Sequence, residues 1–174
     1  IPPSTMLKSR TPLYLTGIFA LLLVLSGCGA DNYARKAEEY YAIGEYFDAA
    51  EEFKKAYSHT PVKEKAKRGE RAWKMAESYR FIGYSAKAAG AYQNAVRYGY
   101  PDSTALRYLA DAQLMKGDYK AAQKSYEAFL EKTPGDRMAT VGLESARQSA
   151  EWKKNPTRYI VKKSKELNGQ RSDF

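Results

Sequence analysis

The sequence predicts an all-α chain, a right-handed superhelical solenoid of about three helical hairpins plus a C-terminal capping helix. Two observations predict it. A pattern of six positions recurs three times, with Gly-to-Gly steps of 39 and 34 residues. The stretches before each Gly carry apolar residues at helical spacing, so each copy reads as two helices.

The first copy is Gly44, Tyr46, Ala49, Phe53, Ala56 and Pro61. The second is Gly83, Ser85, Ala88, Tyr92, Ala95 and Pro101, and the third Gly117, Tyr119, Ala122, Tyr126, Phe129 and Pro134. Gly belongs where helix A ends and the chain turns, because it tolerates positive φ. Asp118 and Tyr119 then restart the third unit as helix B. Ala49, Ala88 and Ala122 mark the closest approach of helices A and B, where a larger side chain would push the pair apart. The aromatic residue four positions later lies on the same face. Pro61, Pro101 and Pro134 are expected to end the B helices, since Pro cannot continue the hydrogen-bond ladder. The A helices show Tyr33, Ala37 and Tyr40, then Met75, Ala76 and Tyr79, then Leu106, Leu109 and Ala110.

A period near 34 with this composition resembles the tetratricopeptide repeat. The units run over about 30–63, 69–102 and 103–136, within a repeat region of 28–135. Such stacks hold other proteins rather than perform chemistry. The first step is five residues longer than the second, and the surplus falls in 62–70, read as an early start of the second A helix just after Pro61. Phe129 stands where a small residue is usual and is expected to pack against the segment after the third unit. That segment, 136–154, is the capping helix, with Met138, Val141, Leu143, Ala146 and Ala150 as its apolar stripe and Glu144, Arg147 and Glu151 outside.

Residues 1–27 read as upstream sequence followed by a lipoprotein signal peptide. Lys8 and Arg10 precede an apolar run over 13–25, too short to span a bilayer as a helix. Leu25-Ser26-Gly27-Cys28 resembles the bacterial lipoprotein box, which implies cleavage before Cys28 and acylation of that residue. By analogy with enteric lipoproteins, Gly29 and Ala30 after the Cys imply sorting to the outer membrane. With no acidic cluster following Cys28, the chain is expected to be lipid-anchored there and to face the periplasm.

The chain holds 29 basic and 20 acidic residues. Without Lys8 and Arg10, 27 basic residues remain against 20 acidic. An exported protein does not meet nucleic acid, so the excess is read as a solvated basic face or as attraction to anionic lipid headgroups or an acidic partner. It clusters at Lys63, Lys65, Lys67, Arg68 and Arg71, and again at Lys153, Lys154, Arg158, Lys162 and Lys163. Cys28 is the single Cys, so no internal disulfide can form.

No catalytic constellation, phosphate loop or metal-ligand spacing is visible, and no enzyme activity, cofactor or metal is expected. His59, the single His, sits at a B-helix end where it favours the helix dipole. Glu38, Glu39, Glu51 and Glu52 read as solvated helix faces. In stacked repeats the A helices line the concave side. Helical phase points Glu38, Tyr41, Trp73, Glu77, Arg80, Arg107 and Asp111 into that groove. Trp, Tyr and Arg dominate protein-binding hot spots, although Trp73 and Tyr41 also suit packing between A helices. The set lacks the Lys and Asn of the carboxylate clamp of chaperone-binding tetratricopeptide domains. Of 15 Tyr, Tyr84, Tyr98 and Tyr100 are not explained by the repeat and are candidates for a covered surface.

Residues 155–174 read as a linker and the start of a following β domain, with a short strand at Tyr159, Ile160 and Val161. The lipoprotein box, the three units and Asn155-Pro156-Thr157-Arg158-Tyr159, leading to Leu167-Asn168 and Ser172-Asp173-Phe174, resemble the opening of a Bacteroidota lipoprotein group. Its members join tetratricopeptide repeats, a β-propeller and an OmpA-like peptidoglycan-binding domain, and one belongs to the type IX secretion system. The resemblance implies a periplasmic docking module whose partners are proteins of a secretion or envelope complex. It implies a membrane contact through acylated Cys28, and peptidoglycan contact only through a later domain. The alternatives are an accessory lipoprotein for outer-membrane protein assembly or cell-wall synthesis, and a glycan-binding lipoprotein. The near-contiguous repeats count against the last.

Overall fold

The structure, a computed structural model, describes residues 29–157. The lipoprotein box, Cys28 and the strand expected at 159–161 lie outside them. Among the described residues seven helices succeed one another: α1 over 29–42, α2 Tyr46–His59, α3 Lys65–Phe81, α4 Ser85–Arg97, α5 Thr104–Lys116, α6 Tyr119–Lys132 and α7 Arg137–Lys154. From α2 onward each helix packs on the next, and α5 also touches α7. This is a solenoid of three helical hairpins closed by a seventh helix.

The A–B turns form as the glycine column requires. Gly44, Gly83 and Gly117 have φ of 84°, 73° and 85°, a region that a Cβ disfavours. The B-to-A junctions are more varied. Gly99, at φ 73°, ends α4 before Pro101 is reached. After α2 the chain makes a turn over 61–64, with the Glu64 amide donating to the Pro61 carbonyl at 3.0 Å. The second A helix therefore starts at Lys65 rather than directly after Pro61, and its 17 residues absorb the long first step. Asp118 and Asp136 cap α6 and α7, their carboxylates accepting from Ala121 at 3.3 Å and Ala139 at 2.7 Å.

The core has two parts that meet at α5. Ala49, Phe53, Ala76, Tyr79, Ala88, Tyr92 and Leu109 belong to the larger, and Ala110, Ala122, Tyr126, Phe129, Ala139, Leu143 and Ala146 to the smaller. Phe129 thus packs against α7, as its size demands. The stripe on α7 is rotated from the expected one. Ala139, Leu143 and Ala146 face inward, whereas Met138 and Val141 are 69% and 58% exposed. Gly142 explains the rotation. A Cβ there would lie 2.6 Å from Tyr126 Cε1, so the bare backbone of α7 seats on the Tyr126 ring.

Two polar residues expected in solvent are buried. Glu52 is 5% exposed and accepts from Lys55 at 2.7 Å and Lys36 at 3.4 Å. Its carboxyl pKa is lowered, chiefly by the Lys55 hydrogen bond. Arg71 is 7% exposed. It donates to Thr60 Oγ1 and pairs with Asp31, and a buried guanidinium requires such partners. Arg68 donates to the Thr60 carbonyl at 2.6 Å, with its guanidinium 4.2 Å from the Tyr57 ring centre and 4.9 Å from that of Tyr98. These contacts tie the start of α1 and the end of α2 to α3.

Candidate protein-binding groove

Glu38 on α1, Glu77 on α3 and Asp111 on α5 stand 39 and 34 residues apart, repeating the glycine steps. Each precedes the B-helix aromatic of its own unit by fifteen residues. In the second unit the Tyr92 hydroxyl donates to Glu77, which also holds Arg80 by two hydrogen bonds of 2.7 and 3.1 Å. In the third, the Tyr126 hydroxyl donates to Asp111 at 2.5 Å, and Arg107 reaches the same carboxylate at 3.3 Å. In the first, Phe53 has no hydroxyl to offer. Glu38 remains exposed and takes Lys74 of α3 at 3.2 Å.

Burial, reinforced by the adjoining carboxylate, raises the pKa of both phenols. The Arg80 guanidinium is held still more firmly protonated by its hydrogen bonds to Glu77. The seven expected groove residues therefore divide. Glu77 is buried and acts inside the fold. Trp73 is half-buried, stacked on Tyr100 with ring centres 4.7 Å apart and set edge-on to Tyr92 at 5.4 Å. Tyr41 is half-buried, edge-on to Tyr46, Phe53 and Phe81 at 5.3, 6.5 and 6.1 Å. Burial raises its pKa, with the Glu77 charge adding to the effect. Glu38, Arg80, Arg107 and Asp111 keep accessible surface.

Arg80 and Asp111 meet in a cleft of about 460 Å³, lined also by Tyr108, Ala88, Met115 and Met138. Tyr108, like Met115 and Met138, was not among the groove residues expected from the sequence. Its ring lies 5.1 Å from the Arg80 guanidinium and 4.3 Å from that of Arg107, and stacks on Tyr92 with centres 5.9 Å apart. The missed rim residues Met115 and Met138 are 70% and 69% exposed. Met115 stands two places before Gly117, as Phe81 does before Gly83, and that equivalence was readable. Tyr108 follows no repeat column and left no comparable signal. Of the unexplained tyrosines, Tyr98 packs edge-on to Tyr57 at 6.1 Å and Tyr100 on Trp73, while Tyr84 stays 45% exposed.

The cleft combines a fixed cation, an anion, an aromatic wall and two adaptable thioethers. That mixture suits one or two anchoring side chains of an extended peptide segment. Residues 74–142 match the tetratricopeptide repeat family. No curated protein matches the chain. The fold is similar to the first TPR domain of Spaghetti (RPAP3) bound to an HSP90 peptide, at 22% identity and a TM-score of 0.58, covering 72% of this chain and 95% of that one. It is similar to the Sgt2 TPR domain from Aspergillus fumigatus, at 22% identity and 0.56, covering 81% and 91%. It also resembles the first TPR domain of human RPAP3, at 22% identity and 0.57, covering 75% and 99%. The fold is that of a tetratricopeptide solenoid.

Proposed function

We propose that the chain is the periplasmic docking module of an outer-membrane lipoprotein, anchored through acylated Cys28. It works within a type IX secretion assembly and resembles PorE of that system. The observation that carries the docking role is the cleft on the A-helix side, where Arg80, Tyr108 and Asp111 converge under an exposed Met115–Met138 rim. The Spaghetti domain of the same fold holds a peptide, which supports an extended segment as the occupant here. The absence of the Lys and Asn of a carboxylate clamp argues against a chaperone tail. The secretion assignment is supported by the lipoprotein box and the tail residues from Asn155 to Phe174.

The test is affinity capture from detergent-solubilised envelopes, comparing the unaltered chain with Met115→Glu and Met138→Glu. Both side chains are exposed, so stability is expected to change by no more than about 0.5 kcal/mol. Charge at the rim is expected to deplete one stoichiometric partner. Recovery of secretion-system proteins supports the whole reading, and recovery of outer-membrane assembly or cell-wall synthesis proteins replaces the secretion assignment. Unchanged capture by both variants removes the cleft as the docking surface.

A further inference from the structure

We infer that the edge formed by the start of α1, the α2–α3 turn and the first turn of α3 rests on anionic phospholipid headgroups, with Lys63, Lys65 and Lys67 as its contacts. The inference builds on the reading that Cys28 is acylated. Cys28 is joined by one peptide bond to Gly29, the first described residue. From there on the chain is held to the fold. Ala30 is 1% exposed, and Asp31 pairs with Arg71 and lies 3.6 Å from Lys67. The anchor therefore enters beside the most basic stretch of the described residues.

Lys63 and Lys65 are exposed, and among the described residues neither makes an ion pair. Lys67 is shared between Asp31 and Glu64, at 3.6 and 3.5 Å. Arg68 and Arg71 are occupied inside the fold, and Glu70 is the nearest exposed acid that no ion pair engages. Val62, at the turn, is 65% exposed and offers an apolar tip between the charges. A lysine close to an anionic membrane surface gains about fivefold in affinity for it, and the attraction fades over a Debye length of about 8 Å. Through Asp31, Lys67 reaches the residue three positions after Cys28, and Lys63 and Lys65 lie in the four residues before Lys67. The A–B turns, with Gly83 and Met115 of the cleft, then stand about 25 Å away along α3 and face the periplasm.

Lysine footprinting on the full chain tests this. The chain, extracted with the acyl groups it carries, is reconstituted in phosphatidylcholine vesicles and in vesicles with added phosphatidylglycerol. It is then labelled with a water-soluble amine reagent. Lys63 and Lys65 are expected to react about fivefold more slowly in the phosphatidylglycerol vesicles, and high salt is expected to reverse the protection. Lys116 and Lys120, at the far edge, are expected to react equally in both. Equal labelling at all four positions overturns the inference. Intact mass measured on the same sample reports acylation of Cys28 separately. An unmodified Cys28 overturns the anchoring reading, while the vesicle comparison still decides the headgroup contact, because charge attraction does not require the acyl chains.

Discussion

Tyr126 donates its hydroxyl to Asp111 at 2.5 Å, and the two residues join helices A and B of the third hairpin. Tyr92 makes the same bond to Glu77 one unit earlier. A hydrogen bond to a charged acceptor contributes about 1.5–3 kcal/mol. Tyr92→Phe is expected to cost that much, because Glu77 is buried and keeps only Arg80. Tyr126→Phe is expected to cost less, about 1 kcal/mol, since water can reach the partly exposed Asp111. Urea unfolding of the two variants measures both. No loss in either variant would show that the carboxylates find other partners, and equal losses would show that water does not compensate Asp111.

Arg80 belongs to that network as much as to the cleft. Removing it takes from Glu77 both of its guanidinium hydrogen bonds. Arg80→Ala is therefore expected to lower stability by about 1–3 kcal/mol before any effect on binding. A loss of partner capture by Arg80→Ala counts for the cleft only if its urea midpoint matches the unaltered chain. Met115→Glu and Met138→Glu are free of this ambiguity.

Two helical glycines are expected to respond in opposite directions to the same substitution. Gly90 on α4 is exposed, with nothing within 4 Å of a Cβ. Gly90→Ala removes the helix penalty of glycine and is expected to stabilise by about 0.8–1 kcal/mol. Gly142→Ala gains the same propensity but drives a methyl into the Tyr126 ring. Overpacking a filled core costs about 1–3 kcal/mol, and the ring cannot yield without losing Asp111. A Gly142→Ala protein as stable as its parent would mean that α7 shifts freely on α6.

The hairpins were legible because their determinants are local and repeated. Gly44, Ala49 and Phe53 act within one hairpin, and so do their counterparts in later units. The stripe of α7 was misread because its determinant, the approach of Gly142 to Tyr126, is tertiary. Period alone could not choose Ala139 over Met138. Glu52 and Arg71 read as surface charges because burial of a charge depends on partners as distant in sequence as Lys36 and Asp31. For the groove, phase located the A-helix positions, but it could not tell that Trp73 and Glu77 spend their contacts inside the fold. It also missed Tyr108, which lies between two arginines without belonging to any column.

Alkaline pH is expected to unfold the protein through its buried tyrosines. Burial, with Glu51 nearby, pushes Tyr79 up to about 12. Burial and their carboxylate partners also raise Tyr92 and Tyr126. In the unfolded chain these phenols ionise near about 10. Above that value the unfolded state loses protons that the folded state keeps, so stability falls as pH rises. The contribution is complete below about pH 10 and is lost as pH climbs through the raised folded values. Thermal melts are expected to hold a constant midpoint from about pH 8 to about pH 9.5, and to drop steeply above about pH 10. Tyr92→Phe removes one of the shifted groups, so its midpoint is expected to start lower and fall less steeply over the alkaline range. Parallel curves for the variant and the unaltered chain would show that Tyr92 ionises no later in the folded state than in the unfolded one.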